Sequence, residues 1–270
     1  MTQRWVYSEP SDETEALMSL INVPRPIAQI LLNRGVHTFD QARLFLKPTL
    51  DDLHDPFLMK DMDTAIDRIV SAVDSGESMM VFGDYDVDGT TATTLLYLVL
   101  SSLSEKVSYY IPDRLSEGYG LSDQAMGVAR KNGVSLIISV DCGITANREI
   151  ELAQKEGLDV IVVDHHVPGE TLPDGFAIIN PKRDDCPYPF KELCGVGLAY
   201  KVSQALAHRL ELHPEIIDSH LDLVALGTTA DIVPLHDENR VLTKFGLSTL
   251  HQTDKVGLQA LIRSAGMKER

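Results

Sequence analysis

Val81-Phe82-Gly83-Asp84-Tyr85-Asp86-Val87-Asp88-Gly89-Thr90-Thr91 decides how the rest of this chain is read. The apolar run before it, Met79 to Phe82, has the length and composition of a buried strand. It stops in three carboxylates at alternate positions, then a glycine, then a helix-like run from Thr90 to Leu103. Acidic side chains this close repel one another in a low-dielectric cleft, and a divalent cation is the usual compensation. An acidic surface turn is the plainer alternative, since Asp and Gly are common in turns.

Recurrence of the pattern downstream argues against that alternative. Strands are expected at Lys106 to Ile111, Leu136 to Val140, Val160 to Val163 and Ala177 to Ile179, alternating with helices at Ser122 to Asn132 and Asn147 to Glu156. Near-continuous apolar strands in β-α alternation predict an α/β fold: an open, mostly parallel sheet with helices on both faces. The strand Leu136–Val140 ends in Asp141-Cys142-Gly143, and Val160–Val163 ends in Asp164-His165-His166. Ligands of such sheets bind beyond the carboxyl ends of the strands. Three strands thus deliver Asp and His to one edge.

Upstream, residues 1 to about 55 read as a small helical segment. Asp12 with Glu15 opens one helix through Leu20. Pro26 suits the first turn of a second, with Ile27, Ile30 and Leu31 on one face. Thr38-Phe39-Asp40-Gln41 forms a capping box before a third. A further helix, Met62 to Val73, carries Ala65, Ile66, Ile69, Val70 and Val73 at helical spacing and stops at Asp74-Ser75-Gly76. Toward the carboxyl end, Gly195-Val196-Gly197 opens a long helix through Leu210, Leu221 to Leu226 is helical, and Val256 to Ala265 closes the chain.

At 270 residues and 44% hydrophobic, the chain can bury a sizeable core. A net charge of −16 argues against a surface coated in cations for duplex DNA, but not against a nucleic acid reached through bound metal. Three scattered cysteines, Cys142, Cys186 and Cys194, make neither a disulfide framework nor a CxxC zinc site. MTQRWVYSEP at the amino terminus has no apolar signal core, and no run approaches membrane-spanning length, so the cytoplasm is expected and no membrane.

Carboxylates with a few histidines suit manganese, magnesium or iron rather than structural zinc. Several bridging carboxylates suggest two ions, an arrangement that activates water and clamps a phosphoryl oxygen. His165 is read as a ligand, with His166 beside it or facing a substrate phosphate. Asp231, in Gly227-Thr228-Thr229-Ala230-Asp231-Ile232-Val233-Pro234, is either a buried capping residue or the last ligand. Arg114 and the glycine-rich Glu117-Gly118-Tyr119-Gly120 form either a mobile loop over the site or a simple turn. Lys182 and Arg183 either meet phosphate or lie in a solvated turn.

Three look-alikes fall short. Asp84-x-Asp86-x-Asp88-Gly89 starts like an EF-hand loop, but its twelfth position is Leu95 and a strand precedes it. No Gly-Lys-Thr completes a Walker A loop. Asp86-Val87-Asp88-Gly89-Thr90 resembles the first motif of haloacid-dehalogenase-type phosphatases, a reading that leaves Asp84, Asp141 and the Asp-His-His run unexplained.

Taken in order, GDYDVDGTT, SVDCGIT, VVDHHVPG and GTTADIVPL resemble the four motifs of the DHH phosphoesterase superfamily. INPKRDDCPYPFKELCGVGLAYKV and EGYGLS look like its RecJ branch of single-strand-specific DNA exonucleases. The resemblance implies a two-metal phosphodiesterase that removes nucleotides from the 5′ end of single-stranded DNA with Mn2+ or Mg2+, in DNA repair and recombination. It implies metal ligands among Asp84, Asp86, Asp88, Asp141, His165 and Asp231, with catalytic help from His166 and with Asp164 orienting a histidine. Arg114, Tyr119, Lys182 and Arg183 are the candidate substrate contacts, and Tyr119 and Tyr188 the candidates for base stacking.

Single-strand-binding protein and other repair proteins are the implied partners. The expected organisation is a helical segment over 1–55 and a DHH phosphoesterase domain over 56–270, without the DHHA1-type and OB-type domains that follow in this branch. Two further readings are an oligonucleotide or cyclic-dinucleotide phosphodiesterase of the same superfamily, and a non-catalytic scaffold, which the intact acidic motifs disfavour.

Overall fold

The computed structural model describes Arg4 and residues 11–267, so most of the amino-terminal decapeptide lies outside the described residues. The chain divides into two compact units, one ending at Asp52 and the other beginning at Leu53.

The first unit holds α1 (Asp12–Ile21), α2 (Arg25–Leu32) and α3 (Phe39–Leu46) around Leu17, Ala28, Leu31, Val36 and Ala42. The capping box before α3 forms as expected, with Gln41 N donating to Thr38 Oγ1 at 3.2 Å and Thr38 N to Gln41 Oε1 at 3.1 Å. Ser11, rather than Asp12, caps α1. The buried stripe of α2 also differs from expectation: Ala28 and Leu31 face inward while Ile27 and Ile30 are exposed. Ala28 and Leu31 join Leu17 of α1 in the buried cluster of this unit.

In the second unit the order is α4 (Met62–Asp74), β1 (Met79–Gly83), α5 (Val87–Ser101), β2 (Val107–Tyr110), α6 (Asp123–Lys131), β3 (Leu136–Val140), α7 (Asn147–Lys155), β4 (Asp159–Val163) and β5 (Ala177–Ile179). Five helices follow: α8 (Gly195–Arg209), α9 (Glu215–Asp218), α10 (Leu221–Ala230), α11 (Asp237–Leu250) and α12 (Val256–Ser264).

All five strands are parallel, in the order β2-β1-β3-β4-β5. Strands β1, β3 and β4 are buried almost throughout, which is why they read as unbroken apolar runs. On one face Met80, Phe82, Ile137, Val160 and Val162 pack under α6 and α7; α4, α5 and α8 cover the other. Gly83 pairs with Val140, and Val140 with Val163, so β1, β3 and β4 end level. The direction of winding reverses between β1 and β3, the crevice where ligands of open α/β sheets bind.

Two expectations change. α5 starts at Val87, so Asp88 sits in its first turn rather than on an extension of β1, and Asp86 is its cap. α11, unforeseen, packs on α10. Its Glu238 is wholly buried and accepts from Tyr188 Oη at 2.6 Å, Lys201 Nζ at 3.0 Å and His54 N at 3.0 Å. Tyr188 therefore belongs to the core and offers no face to a nucleobase.

Candidate metal centre

Each acidic motif reaches the site by a different local device. Asp84 follows β1 directly and is buried. Asp86 has extended backbone and caps α5, its Oδ1 accepting from Gly89 N at 2.9 Å. Gly89, in the first turn of α5, lets that turn close onto Asp84: a Cβ there would lie 2.6 Å from the Asp84 carbonyl oxygen.

Asp88 is buried and points across to the amino terminus of α8. Gly195 N donates to its Oδ2 at 2.6 Å and Val196 N to its Oδ1 at 2.8 Å. These amides have no partner within their own helix, and the helix dipole favours an anion there. Asp141, just beyond β3, takes a φ of 59°, the left-handed region that Asp adopts more readily than most residues. His165 follows β4 by two positions, and Asp231 closes the carboxyl end of α10.

These side chains converge. His165 Nε2 lies 3.1 Å from Asp141 Oδ1 and 3.8 Å from both Asp88 Oδ2 and Asp231 Oδ2. Asp84, Asp86 and Asp141 offer ligand atoms within 4.8 Å of one another, as do Asp141, His165 and His166, and Asp88, Cys194 and Asp231. Asp141 is common to two of these groups. Asp84 Oδ1, Asp141 Oδ1 and His165 Nδ1 are buried without any hydrogen-bond partner. Such atoms are costly to leave unpaired, and an oxygen-rich set with imidazole is the donor chemistry of a Mn2+ or Mg2+ centre.

Electrostatics point the same way. Burial, followed by the charge of Asp141, pushes the Asp88 carboxyl up to about 7. Burial and then Asp86 push Asp141 up to about 9. Asp84 and Asp231 are raised, chiefly by burial, and burial lowers His165. The anionic forms of this cluster are short of positive charge, which divalent cations would supply.

His166 has a different setting. Its Nδ1 lies 2.7 Å from Asp164 Oδ1, and that hydrogen bond, against the opposing effect of burial, pushes the imidazole up to about 9. Asp164 is buried, which alone would raise it. Hydrogen bonds from His166 and from Ile144 N, the latter at 2.9 Å, hold it below the usual carboxylate range instead.

The candidate substrate contacts separate. Tyr119 lies at the mouth, its Oη 3.3 Å from the Asp141 carbonyl oxygen and 3.4 Å from His166 Nδ1. It stands between Gly118 and Gly120, both at a φ of 82°. Arg114 is exposed, 5.3 Å above the Tyr85 ring, and its charge bears on Asp84; that of Lys182 bears on Asp231. Arg183 is turned away from this role. Its guanidinium is buried and spent on Asp61 at 2.6 Å, the Ile178 carbonyl at 2.6 Å and both oxygens of Asp185.

Sequence reasoning missed the supports of the site. A Cβ on Gly195 would lie 2.6 Å from Asp141 Cβ, and one on Gly227 would lie 2.3 Å from Thr91 Oγ1 and 3.1 Å from Asp88 Oδ1. Cys194, buried beside Asp88, sends no signal of its own along the chain, because no second cysteine stands near it at ligand spacing. The GVG run after it was the available signal.

The DHH family, N-terminal domain, matches residues 78–228, and the chain belongs to that family. The chain is 46% identical over 264 residues to the single-stranded-DNA-specific exonuclease RecJ of Bacillus subtilis (strain 168), covering 97% of this chain and 33% of that protein. It is 36% identical to the Escherichia coli (strain K12) exonuclease of the same name, covering 94% of this chain and 45% of that one. The fold matches RecJ in complex with Mn2+ from Thermus thermophilus with a TM-score of 0.79 and 31% identity, covering 97% of this chain and 37% of the other. The chain thus spans under half the length of these relatives.

Proposed function

We propose that residues 56–270 form a DHH phosphoesterase domain acting as the catalytic part of a RecJ-like exonuclease. The substrate is the 5′ end of single-stranded DNA, in the cytoplasm and in the service of DNA repair and recombination. The observation that carries this reading is the meeting of Asp88, Asp141 and Asp231 around His165, in a chain similar over nearly its whole length to RecJ proteins.

Asp84, Asp86, Asp88, Asp141, His165 and Asp231 would hold two Mn2+ or Mg2+ ions. When bound, such ions polarise a phosphoryl oxygen and supply a nucleophilic water at neutral pH. The chain itself does the positioning. The amides of Gly195 and Val196 fix Asp88, and the half-exposed His166, held cationic by Asp164, would face the phosphodiester and offset its charge. Arg114 and Lys182 add positive charge at the rim, and Tyr119 offers a ring for the terminal base. Single-strand-binding protein and other repair proteins are the proposed partners.

The test is release of mononucleotides from 5′-labelled single strands by the 270-residue chain with Mn2+, beside a blunt duplex, which should be cut poorly. Asp141→Ala or His165→Ala should abolish release while circular dichroism stays unchanged. Near-normal turnover in either variant disproves the assignment. Turnover of di- or cyclic nucleotides alone would replace the exonuclease with a small-substrate phosphodiesterase.

A further inference from the structure

The donor groups of the centre differ in one element. Asp84, Asp86 and Asp141 offer only oxygen, whereas the group of Asp88 and Asp231 includes the sulfur of Cys194. We propose that the corner formed by Asp88, Cys194, Asp231 and His165 captures a thiophilic cation, Zn2+ or Cd2+, with Cys194 as a thiolate ligand. The inference rests on reading the centre as one for Mn2+ or Mg2+ and assigns it an inhibitory occupant of a different class.

Several observations support it. Cys194 is wholly buried and is the cap residue of α8. Its Sγ lies among the acidic side chains, with the Thr228 hydroxyl as a side-chain polar partner at 3.3 Å and the Gly197 amide on the helix side. Sγ and one oxygen each of Asp88 and Asp231 lie within 4.8 Å of one another. His165 Nε2 is 3.8 Å from an oxygen of each of those carboxylates.

Independently, Asp141 is 2% exposed and its Oδ1 has no hydrogen-bond partner, although it lies 3.1 Å from His165 Nε2 and so faces the same space. Although Asp88 already accepts two amide hydrogen bonds, each carboxylate oxygen keeps a second lone pair.

One sulfur, one imidazole nitrogen and carboxylate oxygens form a borderline-soft donor set. Thiolate selects zinc-group ions, Mn2+ and Mg2+ prefer oxygen, and affinities at mixed sites rise from Mn2+ to Zn2+. On binding, the sulfur–cation bond replaces the S–H bond and the proton passes to solvent. A cation held this way occupies ligands that the hard ions need and blocks them. Cys142 is also buried, but its Sγ lies 3.4 Å from the Val140 carbonyl oxygen and is in none of the donor groups.

The test is a titration of the metal-free 270-residue chain with Cd2+, following the sulfur-to-cadmium charge-transfer band in the ultraviolet, with Mn2+ binding measured in parallel by electron paramagnetic resonance. The band is expected in the unsubstituted chain and in a Cys142→Ala, Cys186→Ala double variant, where Cys194 is the one remaining thiol. Cys194→Ser and Cys194→Ala should abolish it and weaken Cd2+ binding by on the order of tenfold or more, with a much smaller change for Mn2+. A missing band in the double variant, persistence of the band without Cys194, or equal losses for Cd2+ and Mn2+ overturns the assignment. Absence of Mn2+ binding by the unsubstituted chain instead overturns the underlying reading of the centre.

Discussion

Among single residues, the centre depends on small side chains as much as on acidic ones. Gly195 lies against Asp141 so closely that any Cβ would fall 2.6 Å from Asp141 Cβ and 2.9 Å from its Oδ1. The same residue donates its amide to Asp88. One glycine thus sets the separation of two carboxylates from different strand connections. Ala is a better helix former than Gly, so Gly195→Ala costs α8 nothing in propensity and fills only the space against Asp141, which it should shift with the fold intact. A loss of Mn2+ affinity on the order of 10–100-fold is expected, the range seen when groups that orient metal ligands are altered. Calorimetric titration measures it, and an unchanged affinity would show that Asp141 is free to move.

Strands and helices have two ends with different work. Acidic and imidazole groups gather at the carboxyl ends of β1, β3 and β4. At the opposite ends the same strands are tied by one ionic cluster. Arg68 of α4 donates to Glu77 Oε2 and Asp159 Oδ2, each at 2.6 Å, and the Ser135 hydroxyl lies within hydrogen-bonding distance of Glu77. Hydrogen bonds from Arg68, first, and Ser135 hold the Glu77 carboxyl below its ordinary 4.5.

A carboxyl lowered in the folded state contributes stability that is complete above its unfolded value and disappears as pH falls through the folded one. Acid unfolding of the chain should therefore steepen below about pH 4.5, the ordinary glutamate value. Glu77→Gln should lower stability at pH 7 and flatten that acid dependence. Denaturant midpoints recorded across this range check the sign; a variant with wild-type midpoints and slope would remove the cluster from the account.

For the molecule as a whole, a net charge of −16 makes divalent cations a matter of stability as well as of the proposed chemistry. Asp84, Asp88 and Asp141 are nearly inaccessible to water, and their neutralisation in the folded chain falls to protons or cations. Saturating Mn2+ should raise the melting temperature, and chelation should reverse the rise. At a free concentration about 100 times the dissociation constant the gain is about 2.7 kcal/mol per site. Scanning calorimetry with and without Mn2+ measures it, and Asp141→Ala should abolish most of the shift. A melting temperature indifferent to Mn2+ would mean that the buried acids are satisfied by protons alone.

Much of this was legible along the chain, for definite reasons. Buried parallel strands must be apolar on both faces, so β1, β3 and β4 stand out, and their endings in Asp84, Asp141 and Asp164-His165-His166 mark the edge of the sheet that binds. Asp231 is undecidable between cap and ligand from sequence because the two roles share one local pattern; its Oδ2 at 3.8 Å from His165 Nε2 brings it to the site. Arg183 and Lys182, adjacent and both cationic, are told apart by the partners of Arg183: Asp185 and the Ile178 carbonyl nearby, and Asp61, more than a hundred residues upstream.

Order of the strands and of the helices between them, the acidic and imidazole inventory and the family all follow from the linear chain, because each is written in local periodicity and short motifs, whereas α9 and α11 carry no such signal. Folding had to supply the rest: that α8 presents its free amides to Asp88, that Cys194 stands among the carboxylates, and that Tyr188 lies in the core. Those contacts join segments from 50 to 108 residues apart, and no local pattern encodes the distance between groups that meet only in three dimensions.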